Sequence, residues 1–135
     1  GPTFTDSPIP SEGTYVYRVA AVDGAGNRGP ASSPATVEID LTAPAAPADG
    51  SISGGAGAWS NAASVSVSTA ATPPAGGSMR HRVSDDGGAT WGASAGGATA
   101  TITAEGDHAV QFQVVDAAGN GSSWAPTAPL PATDW

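Results

Sequence analysis

The chain has 135 residues, a formal net charge of −8, no cysteine and no lysine, so its four cations are all arginine. No basic stripe exists to displace counterions from phosphates, which argues against nucleic acid as a partner. The missing cysteine removes any disulfide framework, thiolate nucleophile or cysteine-ligated metal. The missing lysine removes Schiff-base chemistry.

Nineteen glycines and twelve prolines punctuate short runs of valine, threonine and aromatics. That pattern predicts strands joined by many turns, and no segment keeps a helical period. No apolar run reaches the ~20 residues of a membrane-spanning helix, and no signal-peptide pattern opens the sequence.

In chain order, residues 3–11 predict a short strand around Phe4, stopped by Pro8 and Pro10. Thr14 to Val22 alternates strongly, with Tyr15, Tyr17, Val19 and Ala21 on one face and Arg18 on the other. Asp23-Gly-Ala-Gly-Asn27 is a turn, in which glycine supplies positive φ and the Asp and Asn side chains fold onto nearby amides. Ser33 to Asp40 predicts a further strand carrying Val37 and Ile39, and a proline-bearing linker follows over 42–47.

Past the linker, strands are expected at Ser51–Ser53, Ser64–Ser68, Met79–Ser84 and Thr99–Thr103. Trp59 precedes the second of these, and an acidic turn at Asp85-Asp86-Gly-Gly leads to Thr90-Trp91. In the stretch from Glu105, His108, Val110, Phe112 and Val114 face one way; Gln111 and Gln113 face the other. Pro129 and Pro131 remove ladder donors at alternate positions, so a strand there must lie at a sheet edge.

One unit has been used twice. Glu12-Gly-Thr-Tyr-Val-Tyr-Arg-Val-Ala-Ala-Val-Asp-Gly-Ala-Gly-Asn27 and Glu105-Gly-Asp-His-Ala-Val-Gln-Phe-Gln-Val-Val-Asp-Ala-Ala-Gly-Asn120 share both ends and the apolar alternation, 93 positions apart. The offset is the size of one small β-sandwich domain. His108 takes the place of Tyr15, where an aromatic that packs and makes one hydrogen bond is expected. The expected fold is therefore all-β: an antiparallel immunoglobulin-like sandwich over 48–135, preceded by the closing strands of another unit over 1–41. Three strands alone bury little, so residues 1–41 are expected to dock on the second unit or to exchange strands with a second chain.

The glycine-tyrosine strand ending Val-Asp-x-Ala-Gly-Asn, the strand closing Ile-Asp-x-Thr-Ala-Pro, and Trp59-Ser-Asn ahead of Val65 and Val67 resemble bacterial fibronectin type III-like and immunoglobulin-like tandem repeats. The resemblance implies a non-catalytic spacer of a secreted or cell-surface protein, a stalk or adhesin module whose partners are neighbouring repeats and a host-surface or glycan ligand. It implies no membrane insertion. Ser84-x-Asp86-x-Gly88-x-Thr90-Trp91 also fits the Asp-box pattern. A single copy reads as one hairpin, because a propeller needs several.

Three chemistries remain to be weighed. No nucleophile elbow, zinc-type histidine spacing or phosphate-cradling loop is present, and no enzyme is expected. Calcium wants six to eight oxygens, and Asp40, Asp85, Asp86 and Asp116 are the candidate ligands near turns and the unit junction. Against this, each aspartate can simply cap its own turn. An accessory carbohydrate-binding module is the alternative function. Trp124 and Trp135 lie in the irregular proline-rich end and are its candidate stacking residues.

Overall fold

The computed structural model describes residues 2–55 and 61–134, the last eight of these by backbone alone. Trp59 and Trp135 therefore lie outside the described residues. Two compact units divide the chain, Gly1–Thr42 and Ala43–Trp135.

The first unit is one antiparallel hairpin interrupted at its middle. Strand β1 (Gly13–Tyr17) pairs with β4 (Ala35–Ile39), and β2 (Ala20–Val22) pairs with β3 (Arg28–Ala31). The four pieces are two longer strands, each broken once. No strand forms around Phe4. Pro8 and Pro10 have no amide to offer a ladder, and the segment is tied down by a side chain instead: the Tyr17 hydroxyl donates to Asp6 Oδ2 at 2.8 Å. No described residue of this unit is buried.

The second unit is an antiparallel β-sandwich. Its strands are β5 (Ile52–Gly54), β6 (Val65–Thr69), β7 (Ser78–Ser84), β8 (Ala95–Gly96), β9 (Thr99–Ile102), β10 (Gly106–Val115) and β11 (Ala125–Asp134). They form two antiparallel sheets, ordered β5-β6-β9 and β11-β10-β7-β8. The alternation in β6 sends Val65 and Val67 inward and leaves Ser66 outside. From the facing sheet come Met79, Val110, Phe112 and Val114, and these close one core with Ile52, Ala100 and Ile102. Val67, Val110 and Phe112 are sealed from solvent, each contributing about 1.5–3 kcal/mol of transfer free energy. Strand β11 lies at a sheet edge, as its prolines require.

Glycine is needed where backbone meets backbone. Gly54 has φ +94°, and a Cβ there would strike the Ser66 carbonyl on the neighbouring strand.

The two hairpins of the repeat match in detail near the turn. Val22 opposes Arg28 in the first, and Val115 bridges to Gly121, their copies 93 positions on, in the second. Beyond the irregularity the second hairpin has slipped. Tyr17 opposes Ala35, but Val110, the copy of Tyr17, opposes Leu130, two residues past the copy of Ala35. The additional residues are taken up between Val110 and Phe112 on one strand and Ala125 and Leu130 on the other.

Candidate functional site

The chemistry-bearing side chains of the second unit concentrate on the β7–β8 connection and on the outer face of the four-stranded sheet. In the connection, Ser84 ends β7 almost fully buried, and its hydroxyl donates to Asp86 Oδ1 at 2.6 Å. The same oxygen of Ser84 accepts from the Gly88 amide at 2.8 Å. Asp86 then accepts from the Thr90 amide (2.8 Å) and the Thr90 hydroxyl (2.6 Å). Its carboxylate is satisfied within its own hairpin. The hydroxyl of Ser84, then the side chain and amide of Thr90, favour the charged form and push the Asp86 pKa down to about 2.

Asp85 turns the other way. Its Oδ1 lies 2.9 Å from Nδ1 of His108, which is 3% exposed, while Asp85 itself is open to water. The second ring nitrogen of His108, Nε2, donates to the Ala104 carbonyl at 3.0 Å. The Gly87 amide donates to the Asp107 carbonyl at 3.1 Å, so the hairpin is tied at two points to the start of β10.

On the outer sheet face, the Arg82 guanidinium lies 4.4 Å from the ring centroid of Trp91 and 4.4 Å from that of Trp124. It also donates through Nε and Nη2 to Gln111 Oε1, at 3.1 and 2.6 Å. Gln111 passes the chain on, its amide donating to the Pro126 carbonyl at 2.7 Å. Burial lowers the Arg82 pKa, the direction expected for a partly desolvated cation. Trp124 therefore has one ring face engaged with arginine and is half-buried, as is Trp91. This stack was absent from the sequence reading. Alternation alone puts Arg82 and Gln111 on outward faces, but their meeting depends on the pairing of Gln111 with Arg82 across β10 and β7.

The other candidate aspartates sit in separate turns. Asp116 accepts from the Asn120 amide at 2.8 Å and the Asn120 side chain at 2.9 Å. Asp23 does the same with Asn27, at 2.8 and 2.9 Å. The asparagine side chain leads the causes that lower both carboxylates. Asp40 accepts from the Thr42 amide at 2.9 Å in the first unit. Among the described residues, no three of His, Asp or Glu converge where they could hold a metal ion. His81 meets the Gly97 carbonyl at 3.2 Å through Nδ1 and tilts against Phe112, ring centroids 6.2 Å apart.

Compared with known proteins, the chain matches no family model and no curated protein.

Proposed function

We propose that this chain is a structural segment of tandem repeats in a secreted or cell-surface bacterial protein, a stalk or adhesin module acting without catalysis. In this reading residues 1–41 are the closing strands of a fibronectin type III-like repeat, and 48–135 are a nearly complete immunoglobulin-like repeat. The observation that carries the reading is the repeated hairpin. Asp23 with Asn27 and Asp116 with Asn120 make the same turn, the strand pair beside it agrees, and near the start of each copy an aromatic ring bonds four residues back. The division of strands into β5-β6-β9 and β11-β10-β7-β8 is compatible with the immunoglobulin-like reading of 48–135. The side chains that could have carried chemistry are engaged in holding turns and corners, which favours a mechanical role.

The test is replacement within the parent protein. An unrelated sandwich of equal length in place of this segment should preserve the reach and function of what it spaces. Loss of function after such a replacement would sink the spacer reading.

An accessory carbohydrate-binding module is the second reading, and the outer sheet face favours it. Trp91 and Trp124 are half-exposed there, held in place by Arg82. Polysaccharide titration followed by tryptophan fluorescence, repeated on Trp124→Ala, separates the two. A response lost in the variant supports sugar binding; no response in either chain removes it.

A further inference from the structure

The inner face of the first hairpin is dressed as a core but buried by nothing in its own unit. Tyr15, Tyr17, Val19 and Ala21 are the copies of His108, Val110, Phe112 and Val114. The second set is 3%, 0%, 0% and 4% exposed. In the first set Val19 is 74% exposed, Ala21 is open to water and the tyrosines are half-exposed. An open groove of about 710 Å³ runs along this side, lined by Phe4, Ile9, Tyr17, Val19 and Val37 among others.

The backbone shows the same incompleteness. In the second unit β10 pairs on one side with β11 and on the other with β7, from Ala109 opposite Ser84 to Val115 opposite Ser78. In the first unit β1 and β2 pair with β4 and β3, and these are their only strand partners among the described residues. The edge corresponding to Ala109–Val115 is thus presented together with the apolar face.

Resting on the repeat reading above, we propose that this face and edge seat a half-sandwich with the build of β5 to β9, joined to the hairpin through residues 2–11. The second unit shows what covers such a face: β5, β6 and β9 lie over it, and β7 extends the sheet. Two features argue for a covering joined in the same polypeptide. The link into the hairpin is kept, because the Tyr15 hydroxyl donates to the Ser11 carbonyl as His108 Nε2 donates to that of Ala104, the copy of Ser11. Ile9 stands at the repeat position of core residue Ile102 and already lines the groove. A covering of this kind would bury Val19 as Phe112 is buried.

The experiment uses the whole chain with an added segment. A second copy of residues 43–104 is joined ahead of Glu12 in place of residues 1–11, and amide exchange is followed for 13–22. Protection there should rise at least ~100-fold over the unextended chain, toward that of 106–115. Val19→Asp in the extended chain should abolish the gain and leave the second unit unchanged. A second chain guards against a poor junction: residues 12–40 replace 105–133 behind the native β5 to β9, and cooperative unfolding is expected. If neither chain gains protection or cooperativity, the proposal is overturned. It is equally overturned if protection of 13–22 in the unextended chain rises with concentration while the mass doubles, because a second copy is then the occupant. None of these outcomes depends on what the parent protein does, so failure here is distinct from failure of the spacer reading.

Discussion

Tyr15 and His108 occupy the same place in the two copies of the repeat and do the same work with different atoms. The Tyr15 hydroxyl donates to the carbonyl of Ser11 at 2.8 Å, and His108 Nε2 donates to the carbonyl of Ala104 at 3.0 Å. Each bond reaches back four residues and pins the connection that leads into a long strand. The arrangement is similar to the tyrosine corner known from immunoglobulin-like sandwiches, in which a tyrosine hydroxyl bonds back to the backbone a few residues upstream. Histidine is shorter and has a second nitrogen, which the second unit uses to hold Asp85 on the β7–β8 connection.

Truncation at this corner should be costly. His108→Ala leaves the Ala104 carbonyl without its donor and opens a void beside Gly106, and we expect a loss of about 2–4 kcal/mol in urea unfolding. His108→Tyr should lose less, because a hydroxyl can restore the bond that Tyr15 makes, while the tie to Asp85 goes. A tyrosine variant as unstable as the alanine variant would show that packing around the ring, and not the corner bond, carries the energy.

Val19 and Phe112 are copies of each other with opposite surroundings. Phe112 is 0% exposed between the two sheets, so Phe112→Ala should cost about 3–5 kcal/mol. Val19→Ala should change the unfolding of the chain by less than about 0.5 kcal/mol, the usual range for an exposed position. A large loss at Val19 would mean that its face is already covered in solution.

What the sequence made legible follows from what strand geometry does locally. Alternation identified the inward residues of β6 and β10, turn chemistry identified the Asp–Asn turns, and alternate prolines identified β11 as an edge. All three depend on neighbours within a few positions. The strand anticipated around Phe4 does not form, because the prolines beyond it withdraw the amides that pairing would need. The Trp91–Arg82–Trp124 stack was invisible for another reason. It joins a strand, a turn and the approach to a distant strand, and only register brings them together. The two-residue slip of the second hairpin was hidden likewise, since the copies align without a gap through the turn and diverge only beyond it.

Arg82 should resist conservative replacement. A lysine ammonium cannot lie flat between two indole rings and also present two donors to Gln111 Oε1. Arg82→Lys should destabilise the second unit by about 1–2 kcal/mol and shift tryptophan emission to the red as the rings gain water. An unchanged spectrum would mean that the stack is not populated in solution.

Calcium should leave the melting temperature where it was. Asp86 and Asp116 direct their oxygens at their own turns, and Asp85 faces His108. A ligand that binds the native state must raise the melting temperature. We expect millimolar calcium and excess chelator to give values within about 1 °C of each other. A rise with calcium would show that the native state binds the ion, against the turn-capping roles of these carboxylates.

Acid should weaken the second unit partly through Asp86, and the sign follows from its hydrogen bonds. Ser84 and Thr90 hold the folded-state pKa down to about 2, against an ordinary value of 3.8. The native state therefore binds fewer protons than the unfolded state in that interval, and stability is lost as the proton is forced on. The contribution is complete above about pH 4 and disappears as the pH falls through about 2. Asp116 is lowered too, through Asn120, and adds to the same trend. Asp86→Asn removes the titrating group but keeps an oxygen for the Thr90 amide. The urea midpoint of the variant should start lower at pH 5 and fall less between pH 4 and pH 2 than that of the parent chain. Parallel curves for the two proteins would mean that the Asp86 hairpin does not couple to global unfolding.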